Sequence, residues 1–319
     1  MVVVAVVGGT GSVGKTLVDA FKEDGQHEVV VLARKVPEGE SKAPVIAVDY
    51  NNVEQLTKTM AENHVHTVIS ALVMYDPTAA QAELNLVAAA AASSATKRFV
   101  ASNWGNASPD DEVFTHIKLT RSLRLPFNTS REQTLEALRK TDLEWTQIHV
   151  GLFLDYYGMP HIETYLSPLV FAVDIGNETA AIPGATGDET ITLTYTKDMG
   201  KFVVAALSLP KWEQALHCYS DNITLKQLVQ TAEEVTGSKF NVTYDSVEKL
   251  SRNEVTELPS HPYLYKFIPK PMLVGFLAIF GLWAVKGVMY CPKEGSLNEK
   301  FPDIATASVK DIVGAWKGK

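Results

Sequence analysis

Apolar and polar positions along this chain alternate between short hydrophobic runs and amphipathic stretches. Residues 1–7 are apolar without interruption and mostly β-branched, as expected of a strand buried on both faces of a parallel sheet. Residues 15–22 follow with apolar spacing suited to a helix. Further strands are predicted at 28–33, 45–48, 65–73, 98–102 and 143–150, with helices at 53–63, 81–94 and 131–141 between them. This alternation predicts an α/β fold with a doubly wound parallel sheet and right-handed crossovers.

The rhythm changes after Gly151. Residues 152–168 are rich in aromatic residues, glycine and proline, and 180–196 reads as a strand pair around the Pro183-Gly184 turn. Helical spacing returns at 196–207 and at 224–236, the second with Thr224 at its start and Gly237 at its end. Short strands are expected at 216–219 and 241–244, and a helical stretch at 246–252. We therefore divide the chain into a nucleotide-binding part, 1–150, and a smaller α+β part, 151–319, of which about 189–235 returns to the first. Residues 106–130 lack a clean period and read as a long active-site loop. Residues 272–285 carry no charge, yet fall short of the roughly 20 apolar residues that a membrane-spanning helix needs. A buried helix, an oligomer contact such as that of a homodimer, and the wall of an apolar pocket all fit that segment.

Candidate chemistry begins at the glycines between the first strand and the first helix. Gly8 permits a sharp turn, Gly11 lets backbone approach a pyrophosphate, and Gly14 allows the helix to sit close on the strand. The helix N-terminus then offers N–H groups to phosphates, which predicts a Rossmann-type dinucleotide site. The second strand ends in Arg34-Lys35, where an NAD site often carries an acidic residue for the ribose hydroxyl. Two cations suit a 2′-phosphate, so NADPH/NADP⁺ is the expected cofactor pair. Asp49 and Tyr50, at the end of the third strand, stand either near the adenine or at a helix cap. Ala71 and Leu72, within the end of the fourth strand, fall where the second half of a dinucleotide belongs.

Composition narrows the possibilities. With 319 residues, 46% hydrophobic and 21% charged, the chain can bury a large core. A formal net charge of −8, without a concentrated basic stripe, argues against nucleic acid as a partner. The two cysteines, Cys218 and Cys291, have no ligand spacing, so neither a metal site nor a disulfide framework is expected. A first strand starting at residue 2 leaves no room for a signal peptide, and a cytoplasmic location is the expectation.

Several of these segments together resemble a known family. Gly8-Gly-Thr-Gly-Ser-Val-Gly14, Arg34-Lys35, Arg98-Phe-Val-Ala-Ser-Asn-Trp-Gly105, Leu143-Glu-Trp-Thr146 and Gly151-Leu-Phe-Leu-Asp155 are similar to those of NmrA-like and isoflavone-reductase-like proteins, which are atypical short-chain dehydrogenases. Asn298-Glu-Lys-Phe-Pro-Asp303 resembles the fungal members. The resemblance implies that Gly8, Thr10, Gly11, Ser12, Val13 and Gly14 hold the pyrophosphate and Arg34 with Lys35 the 2′-phosphate. It places Ser102 and Asn103 near the nicotinamide, with the turn from Gly151 to Phe153 bordering the same site.

The proton-handling group does not follow the family pattern. Isoflavone-type reductases carry a lysine about fifteen positions before the threonine corresponding to Thr146, and an ungapped count lands on Arg131. Arginine keeps its proton near neutral pH, so Arg131 suits electrostatic stabilisation or a solvent-facing helix start. A gap brings Lys118 into the position instead. No tyrosine has lysine four residues on, so the Tyr-x-x-x-Lys pair of most short-chain dehydrogenases is absent. His116, His149, His161 and His261 are further candidates; Tyr156, Tyr157 and His161 stand out because they follow the family's substrate-side turn.

The resulting expectation is an NADPH-dependent reductase of a small, largely apolar, aromatic or polyketide-like molecule in secondary metabolism. A dinucleotide-sensing regulator without turnover and a non-redox isomerase or cyclase are the alternatives on the same fold.

Overall fold

The computed structural model describes residues 1–39, 41–74, 77–106 and 128–319. In the first half, strands β1 (Val3–Val7), β2 (Glu28–Ala33), β3 (Val45–Ala47), β4 (Val65–Ser70), β5 (Arg98–Val100) and β6 (Glu144–His149) alternate with helices. These are α1 (Ser12–Asp24), α2 (Val53–Glu62), α3 (Pro77–Ala92) and α4 (Asn128–Leu138). The second half continues with strands β7 (Leu152–Phe153), β8 (Val173–Asp174), β9 (Thr179–Pro183), β10 (Thr190–Thr194), β11 (Ala215–His217), β12 (Asp221–Thr224) and β13 (Asn241–Asp245). Its main helices are α5 (Thr196–Ala206), α6 (Leu225–Thr236), α7 (Val247–Ser251), α8 (His261–Leu264) and α9 (Lys270–Val285), before the short α10 (Leu297–Lys300) and α11 (Val309–Val313).

Seven strands form one parallel sheet in the order β11-β6-β5-β4-β1-β2-β3. Strand order reverses between β1 and β4, and an open α/β sheet binds its ligand beyond the strand ends at such a point. The uninterrupted apolar run of β1 follows from burial on both faces. Val4 and Val6 pack with Leu17 and Phe21 of α1 and Phe202 and Val203 of α5. Ala5 and Val7 pack with Leu56 and Met60 of α2, Leu86 of α3 and Leu138 of α4. Gly200 lets α5 approach α1, since a Cβ there would stand 2.7 Å from that of Ala20.

Arg98 fastens the far side of this sheet. Its Nε donates to Glu144 at 2.6 Å, its Nη1 and Nη2 donate to the carbonyls of Leu207 at 2.9 Å and Leu209 at 2.8 Å, and the guanidinium lies over Trp212. The segment leading from α5 into β11 is thereby held against β5 and β6.

The remaining residues build a second core around two three-stranded sheets, β12-β10-β7 and β13-β9-β8. This corrects the reading of 180–196 as a strand pair. β9 and β10 lie in different sheets, because the turn at Gly184 (φ +84°) carries the chain out of β9 toward Val285 rather than back along it. Within 189–235, α5 packs on α1 and β11 joins the main sheet, whereas α6 packs on α11, β8 and β9. Residues 272–285 lie in α9, whose Leu273, Leu277, Leu282 and Trp283 enter the second core. Among the described residues no helix is long and apolar enough to cross a membrane.

Two histidines sit in these cores as neutral rings. His217 Nε2 meets the Pro292 carbonyl at 2.8 Å, and His261 Nδ1 accepts from the Leu258 N–H at 3.1 Å. Burial lowers both from the ordinary imidazole value. The unfolded chain therefore takes up protons at a higher pH than the native one, so stability is full above the ordinary value and is lost as pH falls through the folded one. We expect Tm to drop between about pH 7 and about pH 5, with a shallower dependence in the double variant His217→Gln, His261→Gln. An unchanged slope, read by calorimetry across that range, would contradict this.

Candidate dinucleotide site

The end of β1 turns at Gly8, whose φ of +74° suits glycine and where a Cβ would stand 2.9 Å from the Ala71 carbonyl. Gly11 N donates to Gly8 O at 2.9 Å and Lys15 N to Gly11 O at 2.8 Å, which starts α1 directly above the turn. A Cβ on Gly14 would overlap the Gly8 carbonyl, so the helix can sit this close only with glycine at that position. Gly11, as the N-cap, has no side chain to spend on the first turn of α1, which leaves its N–H groups to a phosphate.

A cleft of about 310 Å³ opens here. Of the residues expected from sequence, Gly8, Thr10, Gly11, Arg34, Asp49, Ala71 and Leu72 line it together. Ser12 and Val13 are half-buried in the first turn of α1, Gly14 is buried behind the cradle, and Lys35 is exposed next to Arg34 without lining the cleft. Asp49 accepts from the Asn51 N–H at 2.9 Å, and Asn52 rather than Asp49 caps α2. Tyr50 donates its hydroxyl to the Leu32 carbonyl at 2.8 Å, and burial pushes it up to about 12. It therefore remains a neutral wall that fixes the end of β2.

The opposite end of the site is built by the ends of β4, β5 and β6. Ser102 Oγ donates to the Leu72 carbonyl at 2.7 Å, and Trp104 Nε1 to the Ser70 carbonyl at 2.9 Å. Asn103 Nδ2 donates to Gln147 Oε1 at 2.6 Å, while its buried Oδ1 has no hydrogen-bond partner among the described residues. Gly151 adopts φ +64° against Thr192, where any side chain would collide, and Phe153 is buried with its ring edge-on to Tyr156.

Glu83, absent from the sequence-derived site, is brought to the same place. It is 1% exposed, and its Oε1 accepts the Ser102 N–H at 2.7 Å. Burial raises its pKa, opposed by the hydrogen bond from the Ser102 N–H and by the charge of Arg131. Arg131 is half-buried, with its Nε closed off from solvent. Burial lowers it to about 10, against the opposing effect of Glu83, and it remains a cation at neutral pH. The available signal was that Glu83 is the one charged residue in α3.

Tyr157 and His161 are not brought to this cleft. The Tyr157 hydroxyl donates to the Phe171 carbonyl at 3.0 Å in the second core, and burial pushes its pKa up. His161 is exposed, edge-on to Trp316 at 4.5 Å. Tyr157 instead lines a second cavity, and His161 packs on Trp316 at its edge. Lys118 and His116 lie outside the described residues. Tyr156, Tyr157, Met159, Leu169, Val173 and Trp316 contribute to this second, largely apolar cavity of about 370 Å³. Among the described residues, no group of three or more metal-ligating side chains could hold an ion.

Residues 8–163 match the model of an NAD(P)H-binding family. The chain is 34% identical over 329 residues to Oxidoreductase swnN of Metarhizium robertsii, covering 98% of this chain and 96% of that protein. This chain belongs to the NmrA-like NAD(P)H-binding oxidoreductase family. It is also 36% identical over 310 residues to Oxidoreductase BOA1 of Botryotinia fuckeliana, covering 95% and 96%. The fold is shared with the NADPH complex of leucoanthocyanidin reductase from Vitis vinifera, at a TM-score of 0.74 and 17% identity, over 98% of this chain and 99% of that one.

The glycine cradle and the partnerless Asn103 Oδ1 fit a dinucleotide. Gly14→Ala is expected to weaken NAD(P)H binding more than tenfold by lifting α1 off the turn, about 1.4 kcal/mol or more. Gly275→Ala, at an open helical position, should leave affinity unchanged and stabilise the fold by roughly 0.5–1 kcal/mol. Isothermal titration and thermal unfolding of the two variants provide the check.

Proposed function

We propose that this oxidoreductase uses NADPH to reduce a small, largely apolar molecule at a polarised C=C, C=O or C=N bond. The observation that carries the cofactor preference is Arg34 in the cleft wall, at the end of the strand where an acidic residue would select NAD(H). Residues 1–150, with α5 and β11, are assigned to the cofactor and most of the remainder to the substrate. The apolar cavity beside Tyr156 supports a hydrophobic substrate, and the family resemblance supports a place in secondary metabolism.

In this reading the first-turn N–H groups of α1 bind the pyrophosphate and Arg34 the 2′-phosphate. Ser102 and Asn103 border the nicotinamide. Bound NADPH supplies a hydride. The Arg131 cation stabilises negative charge that develops on the substrate, without giving up its own proton.

One observation favours a second reading. Among the described residues, none of the candidates Tyr157, His161 and Arg131 both lines the dinucleotide cleft and can deliver a proton near neutral pH. A sensor of the NADP(H) ratio needs no donor. Parallel titrations with NADPH, NADP⁺ and NADH separate the cases. A reductase should prefer NADPH, and Arg34→Ser should weaken NADPH by about tenfold or more while leaving NADH within twofold. NADP⁺ binding as tightly as NADPH would favour the sensor, and an NADH preference in the unaltered protein would overturn the cofactor assignment.

A further inference from the structure

α3 is nearly all alanine and apolar residues, and its one charge, Glu83, faces inward and is 1% exposed. An isolated carboxylate there would be strongly disfavoured, so its partners define what holds it. Oε1 accepts the Ser102 N–H at 2.7 Å, and Oε2 faces the Thr134 hydroxyl at 3.5 Å. The same Ser102 donates its hydroxyl to Leu72 O at 2.7 Å, and Leu72 lines the cleft. Ser70, through its carbonyl, receives the Trp104 indole N–H at 2.9 Å. One buried carboxylate thus holds the turn after β5, whose Ser102 hydroxyl in turn grips the turn after β4, with the Arg131 cation within electrostatic range.

We infer that Glu83 is a positioning residue for the nicotinamide half of the site, holding the Ser102 turn against Leu72 and keeping the Arg131 charge at the strand ends. The inference rests on the dinucleotide reading above. It follows from where the bonds lie. The described hydrogen-bond partners of Glu83 belong to the turn after β5 and to α4, and none belongs to the glycine cradle or the end of β2. A defect at Glu83 should therefore damage one half of the cofactor site and spare the other.

The test compares NADPH with 2′,5′-ADP, which carries the adenosine and 2′-phosphate but lacks the nicotinamide. In Glu83→Gln, which removes the charge and turns an NH₂ group toward its former partners, calorimetric titration should show NADPH weakened by about tenfold. Affinity for 2′,5′-ADP should stay within twofold. Equal weakening of both ligands would mean a general loss of structure and would overturn the inference, as would unchanged affinity for both. Failure of the unaltered protein to bind either ligand would overturn the dinucleotide reading itself, and this inference with it. Should Glu83→Gln fail to fold, the double variant E83Q/R131Q leaves no lone buried charge and allows the same comparison with the same expected split.

Discussion

Gly14 lies against the carbonyl of Gly8, and the placement of the cofactor site depends on that contact. Because no Cβ intervenes, α1 can start directly over the end of β1 with its unpaired N–H groups facing the cleft. The same closeness drives Leu17 and Phe21 into the sheet and leaves the other side of α1 free for α5, which Gly200 lets approach in turn. Backbone hydrogen bonding, helix packing and ligand geometry are here consequences of one missing side chain.

The two ends of the cleft are built differently. The end to which we assign the phosphates is made mainly of backbone and needs few side chains, so its residues are contiguous in sequence. The end to which we assign the nicotinamide is assembled from turns that lie up to 80 residues apart along the chain, and polar side chains must fix their relation. Glu83 with Ser102 and Ser102 with Leu72 do this from beneath the site, and Asn103 with Gln147 does it from the side. A buried charge is costly, and its several partners and the nearby Arg131 account for how it is tolerated.

This difference explains how much could be read from the sequence. Strands of a doubly covered sheet are continuous apolar runs, so β1, β2 and β6 were legible to within a residue or two, and Thr224 marked the start of α6 by its capping chemistry. The glycine cradle and Arg34 were legible for the same local reason. Glu83 was not, since a lone acid in an alanine-rich helix looks the same whether it faces water or the core. Nor was the separation of β9 from β10, because a Pro-Gly turn does not say which sheet the next strand will join. Tyr157 and His161 stood near a suggestive turn in sequence, yet the backbone directed one into the second core and the other to the surface beside Trp316.

Backbone amide hydrogen exchange with and without NADP⁺ tests most directly whether a dinucleotide spans from the glycine cradle to the turns that Glu83 and Ser102 hold together. Exchange should slow in 8–14, 70–73 and 101–104 together and stay unchanged in the strand Asn241–Asp245. Slowing confined to the C-terminal sheets, or no slowing in any of the three segments, would contradict it.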